Sequence, residues 1–131
     1  MDPIRSRLMA RVRQKNTSAE MRVRSVLHRL GYRFRLHRRD LPGHPDVVLP
    51  KYRTAIFVHG CFWHRHAGCS KATTPKTRQD FWAAKFSANM QRDSRKELEL
   101  RNRGWRVITL WECETSSTEK LTEILKQELA L

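Results

Sequence analysis

The segment from His59 to Cys69 constrains the fold of this chain more than any other. It holds two cysteines, three histidines and the adjacent aromatic residues Phe62 and Trp63 within eleven positions. Cysteine and histidine are the side chains that bind a borderline-soft metal such as zinc, and packing alone does not explain five of them so close together. The segment therefore predicts that a metal ion organises this part of the chain.

The three cysteines of the chain predict a structural zinc site. Cys61 and Cys69 lie in the segment, and the distant Cys113 follows a predicted strand. An odd number of cysteines argues against a disulfide framework and favours thiolate ligands in a reducing compartment. Tetrahedral zinc takes four ligands, so three thiolates leave room for one histidine, and His66 lies between two of the cysteines. The alternative for Cys113 is a small, buried, apolar side chain without a ligand role.

The charge of the chain predicts a polyanionic partner. Its formal net charge is +14; residues 1–111 carry 25 lysines and arginines against 8 acidic residues, whereas residues 112–131 carry 2 against 5. A basic surface attracts polyanions over long distances and gains affinity from counterion release, which favours nucleic acid. A membrane surface fits less well, because the basic residues are spread over several predicted elements instead of lining one helix. Composition does not separate DNA from RNA, or a binding protein from an enzyme.

Length and hydropathy predict one compact, monomeric domain. The 131 residues, 39% of them hydrophobic, suit a single modest core, so residues 1–131 are expected to form one domain with a basic arm at residues 1–16. No apolar run approaches the roughly 18 residues needed to cross a bilayer, and the first residues lack the apolar centre of a secretory signal. The expected compartment is the cytoplasm.

Apolar periodicity predicts the order helix, three strands, helix, strand, helix. The predicted helices span residues 17–30, 78–103 and 117–129, and the predicted strands span residues 32–37, 46–49, 54–58 and 105–111. A capping box from Thr17 to Glu20 opens the first helix, and the first strand is expected to be half-buried. Apolar positions at helical spacing include Met21, Phe81, Met90 and Leu98. The order is typical of an α/β domain in which helices flank a mixed β-sheet.

A second centre, with catalytic chemistry, is suggested by acids and histidines outside the zinc set. Asp46 begins a strand after a Pro-Gly-His-Pro turn, and His59 and His64 remain if His66 binds zinc. Phosphodiester hydrolysis uses a divalent ion such as Mg²⁺ on carboxylate ligands, which Asp46 and Glu20 could supply, and a base such as His64. Each residue also has a simpler interpretation as a cap, a turn residue or a surface histidine. The hypothesis therefore depends on their convergence in space.

Several separated blocks of the sequence resemble one known family. Residues 42–46, 56–66, 89–93, 104–107 and 111–113 are similar, in order, to the very short patch repair (Vsr) endonucleases. The resemblance implies a PD-(D/E)xK restriction-endonuclease-like core with a structural zinc. It also implies a Mg²⁺-dependent enzyme that nicks duplex DNA 5′ of the thymine in a T·G mismatch. Such mismatches arise by deamination of 5-methylcytosine, and the nick initiates very short patch mismatch repair.

The resemblance also implies roles for individual residues. Asp46 and the main-chain carbonyl of Val58 would hold Mg²⁺, and His64 would be the general base. His59 and Asp93 would complete the catalytic site, with Glu20 as an outer acid. The implied zinc ligands are Cys61, His66, Cys69 and Cys113. The chain has Val58 where the family pattern has threonine, and residues 58–60 lack the usual second acid and lysine of this nuclease core.

Aromatic residues suggest how DNA would be deformed. Phe62 and Trp63, with Trp82 on the following helix, are candidates for an apolar wedge that inserts between base steps, where a mismatch deforms easily. Such residues more often fill a core, and that alternative is strongest for Trp82. Two other functions remain open at this point: a zinc-stabilised DNA-binding module without catalysis, and a nonspecific nuclease. Repair proteins are a further expected class of partner.

Overall fold

The computed structural model describes residues 18–61 and 77–130, and it has the predicted order of elements. The helices are α1 (Ser18–Arg29), α2 (Gln79–Asn102) and α3 (Thr118–Leu129), and the strands are β1 (Arg35–Leu36), β2 (Val47–Leu49), β3 (Thr54–His59) and β4 (Arg106–Trp111). Short 3-10 turns lie at Pro50–Tyr52 and Glu112–Thr115. The predicted alternation of helices and strands is confirmed over these residues.

The four strands form one mixed sheet in the order β1-β2-β3-β4. β1 pairs antiparallel with β2, and β2 pairs antiparallel with β3. β3 and β4 are parallel, with Ile56 opposite Ile108 and His59 opposite Trp111. A parallel pair needs a long crossover, and α2 lies in that crossover. The predicted mixed sheet flanked by helices is therefore confirmed.

One face of the sheet packs against α1 and α3. Alternate residues of a strand point to opposite faces, and the side chains of this face are buried together with those of the two helices. They are Val23, Val26 and Leu27 of α1, Val47, Leu49, Ile56, Val58, Ile108 and Leu110 of the sheet, and Leu121, Leu125 and Leu129 of α3. This is the larger core of the described residues.

The opposite face of the sheet packs against the C-terminal part of α2. Leu100 of α2 is fully buried against Val48, Ala55 and Leu41, and Phe57 packs at the edge of this cluster. Asp46 and His59 have the same strand parity as Val48 and Phe57, so both are expected on the α2 side of the sheet. Two layers of helices thus enclose the sheet, with Asp46, His59 and Asp93 expected on the α2 side.

The first strand is much shorter than predicted. The pattern of residues 32–37 predicts a half-buried strand, but β1 contains only Arg35–Leu36, and both residues are exposed. Tyr32 and Phe34 pack at the margin of the larger core without joining the sheet. The strand ends because His37 adopts a left-handed backbone conformation (φ 47°), which breaks the extended ladder.

Several of the apolar residues at helical spacing are exposed. Met21, Phe81, Met90 and Leu98 are 39–60% exposed, whereas Trp82, Phe86 and Leu100 are the buried residues of α2. The 24 residues of α2 span about 36 Å, whereas a six-residue strand such as β4 spans about 20 Å. The sheet therefore covers only part of α2. Over the described residues, the chain has no helix that is both long and apolar enough to cross a membrane.

Packing of α3 on the sheet predicts a large loss of stability for Leu125→Ala. The Leu125 side chain is fully buried in the larger core, so its truncation should lower the free energy of unfolding by about 2–5 kcal/mol. The matched control is Leu98→Ala, because Leu98 is also helical but 60% exposed; its effect should stay within about 0.5 kcal/mol. Urea denaturation of both variants measures the difference. Equal losses would contradict the assignment of α3 to the core.

Candidate active site

A cleft of about 600 Å³ lies between the loop before β2, the end of β3 and the side of α2. Four residues predicted for catalysis or Mg²⁺ binding line it: Asp46, Val58, His59 and Asp93. These residues come from three different elements, so their meeting in one cleft is not a consequence of proximity in sequence. The structure thus brings four of the described candidate residues to one cleft.

Asp46 is fixed against the neighbouring strand. It lies just before β2, and its Oδ2 accepts a hydrogen bond from the Val58 N–H at 2.7 Å. The bond crosses from one strand to the next, so Asp46 does more than cap its own turn. It also joins the carboxylate to the residue whose carbonyl is the second predicted Mg²⁺ ligand.

The Pro-Gly-His-Pro turn brings the loop before β2 close to α2. Gly43 and His44 have consecutive positive φ angles, 77° and 48°. A Cβ at Gly43 would lie 3.0 Å from the Lys96 Cβ and 3.2 Å from the Phe57 ring. Glycine is therefore required both by the backbone conformation and by the approach of α2. The turn sets the width of the cleft next to Asp46.

Glu20 lies directly beside Asp46, although α1 is on the opposite side of the sheet from α2. The Glu20 side chain is completely buried, and its Oε2 accepts hydrogen bonds from Arg24 Nη2 and His37 Nε2, both at 3.1 Å. One potential ligand atom from each of Glu20, His37 and Asp46 lies within 4.8 Å of the other two. Thr17, the other half of the predicted capping box, lies outside the described residues.

His37 is the member of this cluster that sequence reasoning missed. In the sequence it lies among the basic residues that alternate with aromatic and aliphatic residues over residues 32–37, a pattern typical of a strand with one solvated face. The signal that could have identified it is its position at the end of a strand antiparallel to the one that Asp46 begins. That topology places the two ends side by side.

The donor atoms of this cluster suit a hard divalent cation. Carboxylate and carbonyl oxygens are the ligands that Mg²⁺ and Mn²⁺ prefer. Asp46, Glu20 and the Val58 carbonyl supply such oxygens. The chemistry of the residues present therefore fits the cation implied by the family resemblance.

The His59 ring is held at the end of β3 by two aromatic neighbours. It makes an edge contact with Trp111, with ring centroids 5.2 Å apart, and a tilted contact with Phe57 at 5.8 Å. Asp93 lies half-buried on α2 and lines the same cleft. His64, the predicted general base, lies outside the described residues.

Two of the predicted zinc ligands, Cys61 and Cys113, follow the ends of the neighbouring strands β3 and β4. His59 and Trp111 are paired in parallel register, and Cys61 and Cys113 each follow two residues later. The Cys61 N–H donates a hydrogen bond to Glu112 Oε1 at 3.2 Å, which joins the two strand ends. Both cysteines thus follow strand ends that lie side by side in the sheet. His66 and Cys69, the other predicted ligands, lie outside the described residues.

Trp82 is buried, and it is the one candidate wedge residue within the part of the chain that the structure describes. Trp82 is only 3% exposed and stacks on Phe86, with ring centroids 5.9 Å apart. This burial agrees with the alternative interpretation of Trp82 as a packing residue and does not support its role as a wedge. Phe62 and Trp63 lie outside the described residues.

Charged residues of both signs line the cleft. The basic residues are Arg39, Arg92, Lys96 and Arg103, and the acidic residues are Asp40, Asp46, Asp93, Glu97 and Glu99. At the rim, Arg38 Nε donates a hydrogen bond to Asp40 Oδ1 at 3.0 Å. This hydrogen bond, with a smaller Coulombic contribution, lowers the pKa of Asp40 below its ordinary value of 3.8.

Comparison with known proteins identifies the family. The family model described as DNA mismatch endonuclease Vsr matches residues 2–71. The type II nicking enzyme V.XorIIP of Xanthomonas oryzae pv. oryzae is 53% identical over 130 residues, which cover 98% of this chain and 95% of that protein. DNA mismatch endonuclease Vsr of Escherichia coli is 43% identical over 119 residues, which cover 91% of this chain and 76% of that protein. The chain therefore belongs to the Vsr family of DNA mismatch endonucleases, which confirms the resemblance seen in the sequence.

The Arg38–Asp40 pair predicts that Arg38→Gln changes the pKa of Asp40 and the pH dependence of stability. Because the folded-state pKa of Asp40 is depressed, its contribution to stability is present above the unfolded-state pKa and is lost as pH falls through the folded-state pKa. The variant should raise the Asp40 pKa towards its ordinary value. Carboxyl-carbon NMR titration measures this shift, and any stability difference from the wild type should shrink in acid. An unchanged Asp40 pKa would contradict the pairing.

Proposed function

We propose that this chain is a Mg²⁺-dependent endonuclease that nicks duplex DNA 5′ of the thymine in T·G mismatches produced by deamination of 5-methylcytosine. The nick would initiate very short patch mismatch repair. The observation that carries the proposal is the meeting of Asp46, Val58, His59 and Asp93 in one cleft, with Glu20 beside Asp46. The names of the E. coli and Xanthomonas relatives, a mismatch endonuclease and a nicking enzyme, support it.

Asp46 and the Val58 carbonyl would hold the Mg²⁺ ion. When bound, the ion polarises the scissile phosphate and offsets the negative charge that develops on it. The hydrogen bond from the Val58 N–H keeps Asp46 in one orientation, so the carboxylate needs little reorganisation when the cation and DNA arrive. Glu20 would orient groups around the cation from the buried side.

His64 would take the proton from the attacking water. The strand end Val58-His-Gly60 lacks the second acid and lysine usual in PD-(D/E)xK nucleases, so a histidine is the remaining candidate for the base. His59, held between Phe57 and Trp111, would lie near the scissile phosphate. Asp93 would contribute an acid from α2, on the wall of the cleft.

The topology of the sheet supports a PD-(D/E)xK-like core. An antiparallel unit, β1-β2-β3, is followed by α2 and the parallel strand β4, and the candidate metal aspartate lies just before β2. We propose that this core extends over one domain, residues 1–131, with residues 1–16 as a basic DNA-binding arm.

A structural zinc ion would brace the loop after β3. Its proposed ligands are Cys61, His66, Cys69 and Cys113, and the position of Cys61 and Cys113 just beyond the paired ends of β3 and β4 supports this set. The same loop would present Phe62 and Trp63 to the bases as the wedge. Zinc would thus keep the wedge and His64 in register with the cleft.

The partner of the proposed enzyme is duplex DNA, attracted by the +14 net charge. We propose that the chain acts as a monomer in the cytoplasm, associated with the nucleoid while on DNA, and that repair proteins act downstream of the nick. The acids and histidine that line the cleft favour an enzyme over a DNA-binding module, because carboxylates alone would repel a phosphate.

A nicking assay on duplex oligonucleotides tests the proposal. The wild type should nick a T·G duplex only with Mg²⁺ and leave matched and single-stranded DNA intact. Asp46→Ala should reduce nicking more than about 100-fold, the upper range for loss of an outer-shell partner, and His64→Ala by about 10²–10⁴-fold, as for loss of a general base. The controls Glu123→Ala and His28→Ala remove an exposed acid and an exposed histidine and should leave nicking unchanged.

Two outcomes of this assay would reject the proposal. Tight binding of mismatched DNA without a metal-dependent nick would identify a binding module. Equal cutting of matched DNA would identify a nonspecific nuclease.

The zinc site predicts about one zinc ion per purified chain. Cys113→Ser should lose most of this zinc and unfold at a lower urea concentration, because binding of a structural metal contributes to folding free energy. The control is Ser116→Ala, an exposed change in the same turn, which should retain the metal. Elemental analysis by mass spectrometry measures the content, and full zinc occupancy in Cys113→Ser would remove Cys113 from the ligand set.

A further inference from the structure

His37 contacts both acids of the candidate cation site through different groups. Its Nε2 donates a hydrogen bond to Glu20 Oε2 at 3.1 Å, and its main-chain N–H donates to the Asp46 carbonyl at 3.1 Å. Glu20 is on α1 and Asp46 is on the strand that pairs with β1. His37 therefore joins two segments that are far apart in sequence at the point where their carboxylates meet.

The buried Glu20 carboxylate needs such a partner. It is completely inaccessible to solvent, and burial of a carboxylate is costly unless charged or hydrogen-bonding groups compensate. Arg24 binds the same oxygen from one turn along α1, so this contact fixes Glu20 relative to its own helix. The contact from His37 fixes Glu20 relative to the sheet, which is what sets its distance from Asp46.

The backbone conformation of His37 independently indicates that this residue belongs to a functional site. Its φ of 47° is in the left-handed region, which few residues other than glycine adopt. Unfavourable backbone conformations of this kind persist where the surrounding structure holds them and are concentrated at functional sites. Here the turn allows one residue to present its N–H to Asp46 and its ring to Glu20.

The contacts favour hydrogen bonding over metal ligation by the ring. A carboxylate oxygen only accepts, so Nε2 carries the proton that it donates to Glu20. Arg24 Nη2 lies 3.5 Å from the same Nε2, which is a suitable separation for two donors that share one acceptor. A nitrogen engaged in this way is not available to a cation.

We infer that His37 is a positioning residue of the cation site: its ring holds the Glu20 carboxylate beside Asp46 while its main chain holds Asp46. The inference rests on the proposed function in that it takes Asp46 as a cation ligand. It predicts that cation binding depends on the length of the side chain at position 37 and on an N–H donor at its end. An imidazole ring is not required.

Two substitutions separate these properties. His37→Asn tolerates the left-handed backbone but is too short to reach Glu20, whereas His37→Gln places an amide N–H near the position of Nε2. Mn²⁺ serves as the probe, because it shares the ligand preferences of Mg²⁺. Calorimetric titration of the full-length protein with Mn²⁺, without DNA, measures the site independently of turnover.

We expect His37→Asn to weaken Mn²⁺ binding about tenfold or more, as for loss of an outer-shell partner. His37→Gln should bind within a few-fold of the wild type. The control His28→Asn removes an exposed histidine on α1 that could bind Mn²⁺ nonspecifically, and it should have no effect. Urea denaturation shows whether each variant is folded, and His37→Gly, which accommodates the same φ, replaces the asparagine variant if that one is unfolded.

Three results would overturn the inference. The first is wild-type Mn²⁺ affinity in a folded His37→Asn or His37→Gly variant. The second is equally weak Mn²⁺ binding by His37→Gln and His37→Asn, which would indicate nitrogen ligation. The third is no Mn²⁺ binding by the wild type. Failure of the proposed function has a different signature: the wild type would bind Mn²⁺ but would not nick T·G duplexes. In that case the comparison of the variants still decides the role of His37.

Discussion

The pairing of β3 on both of its edges is the interaction on which the candidate site depends. On one edge β2 brings Asp46 to the Val58 N–H, and on the other the parallel strand β4 places its end at Trp111 beside the end of β3 at His59. The parallel pairing closes a long loop that contains α2, so its entropic cost must be offset by burial of residues such as Ile56 and Ile108. A zinc ion bound at the ends of β3 and β4 would add a cross-link where the apolar core ends.

The candidate site includes a buried charge, which lowers the stability of the fold. Glu20 is a fully buried carboxylate next to a core that includes Val23 and Leu27, and an apolar residue of similar size would pack there without polar partners. Arg24 and His37 compensate the carboxylate, and His37 does so in an unfavourable backbone conformation. Such an arrangement is expected where local rules are relaxed in favour of a site.

The sequence predicts those features that depend on regular patterns of apolar residues. The continuous apolar run from Ala55 to Val58 predicts β3 as a buried strand, whereas the approach of Asp46 and His59 depends on how the strands pair. The exposure of Leu98 was not predictable from its helical spacing, because it depends on the length of α2 relative to the sheet. The contact between His37 and Glu20 depends on a left-handed residue and on the packing of α1, and neither has a sequence pattern of its own.

Different charged groups of the chain would serve DNA attraction and DNA cleavage. The basic surface attracts the DNA backbone, and this attraction weakens as salt increases. Inside the cleft, however, a phosphate would meet Asp46 with Glu20 beside it, and like charges at short distance repel. The basic residues of the cleft, such as Arg92 and Lys96, offset part of this repulsion, and a divalent cation bound by the acids would offset it next to Asp46. DNA affinity and cleavage would then respond to different ions, the first to monovalent salt and the second to the divalent cation.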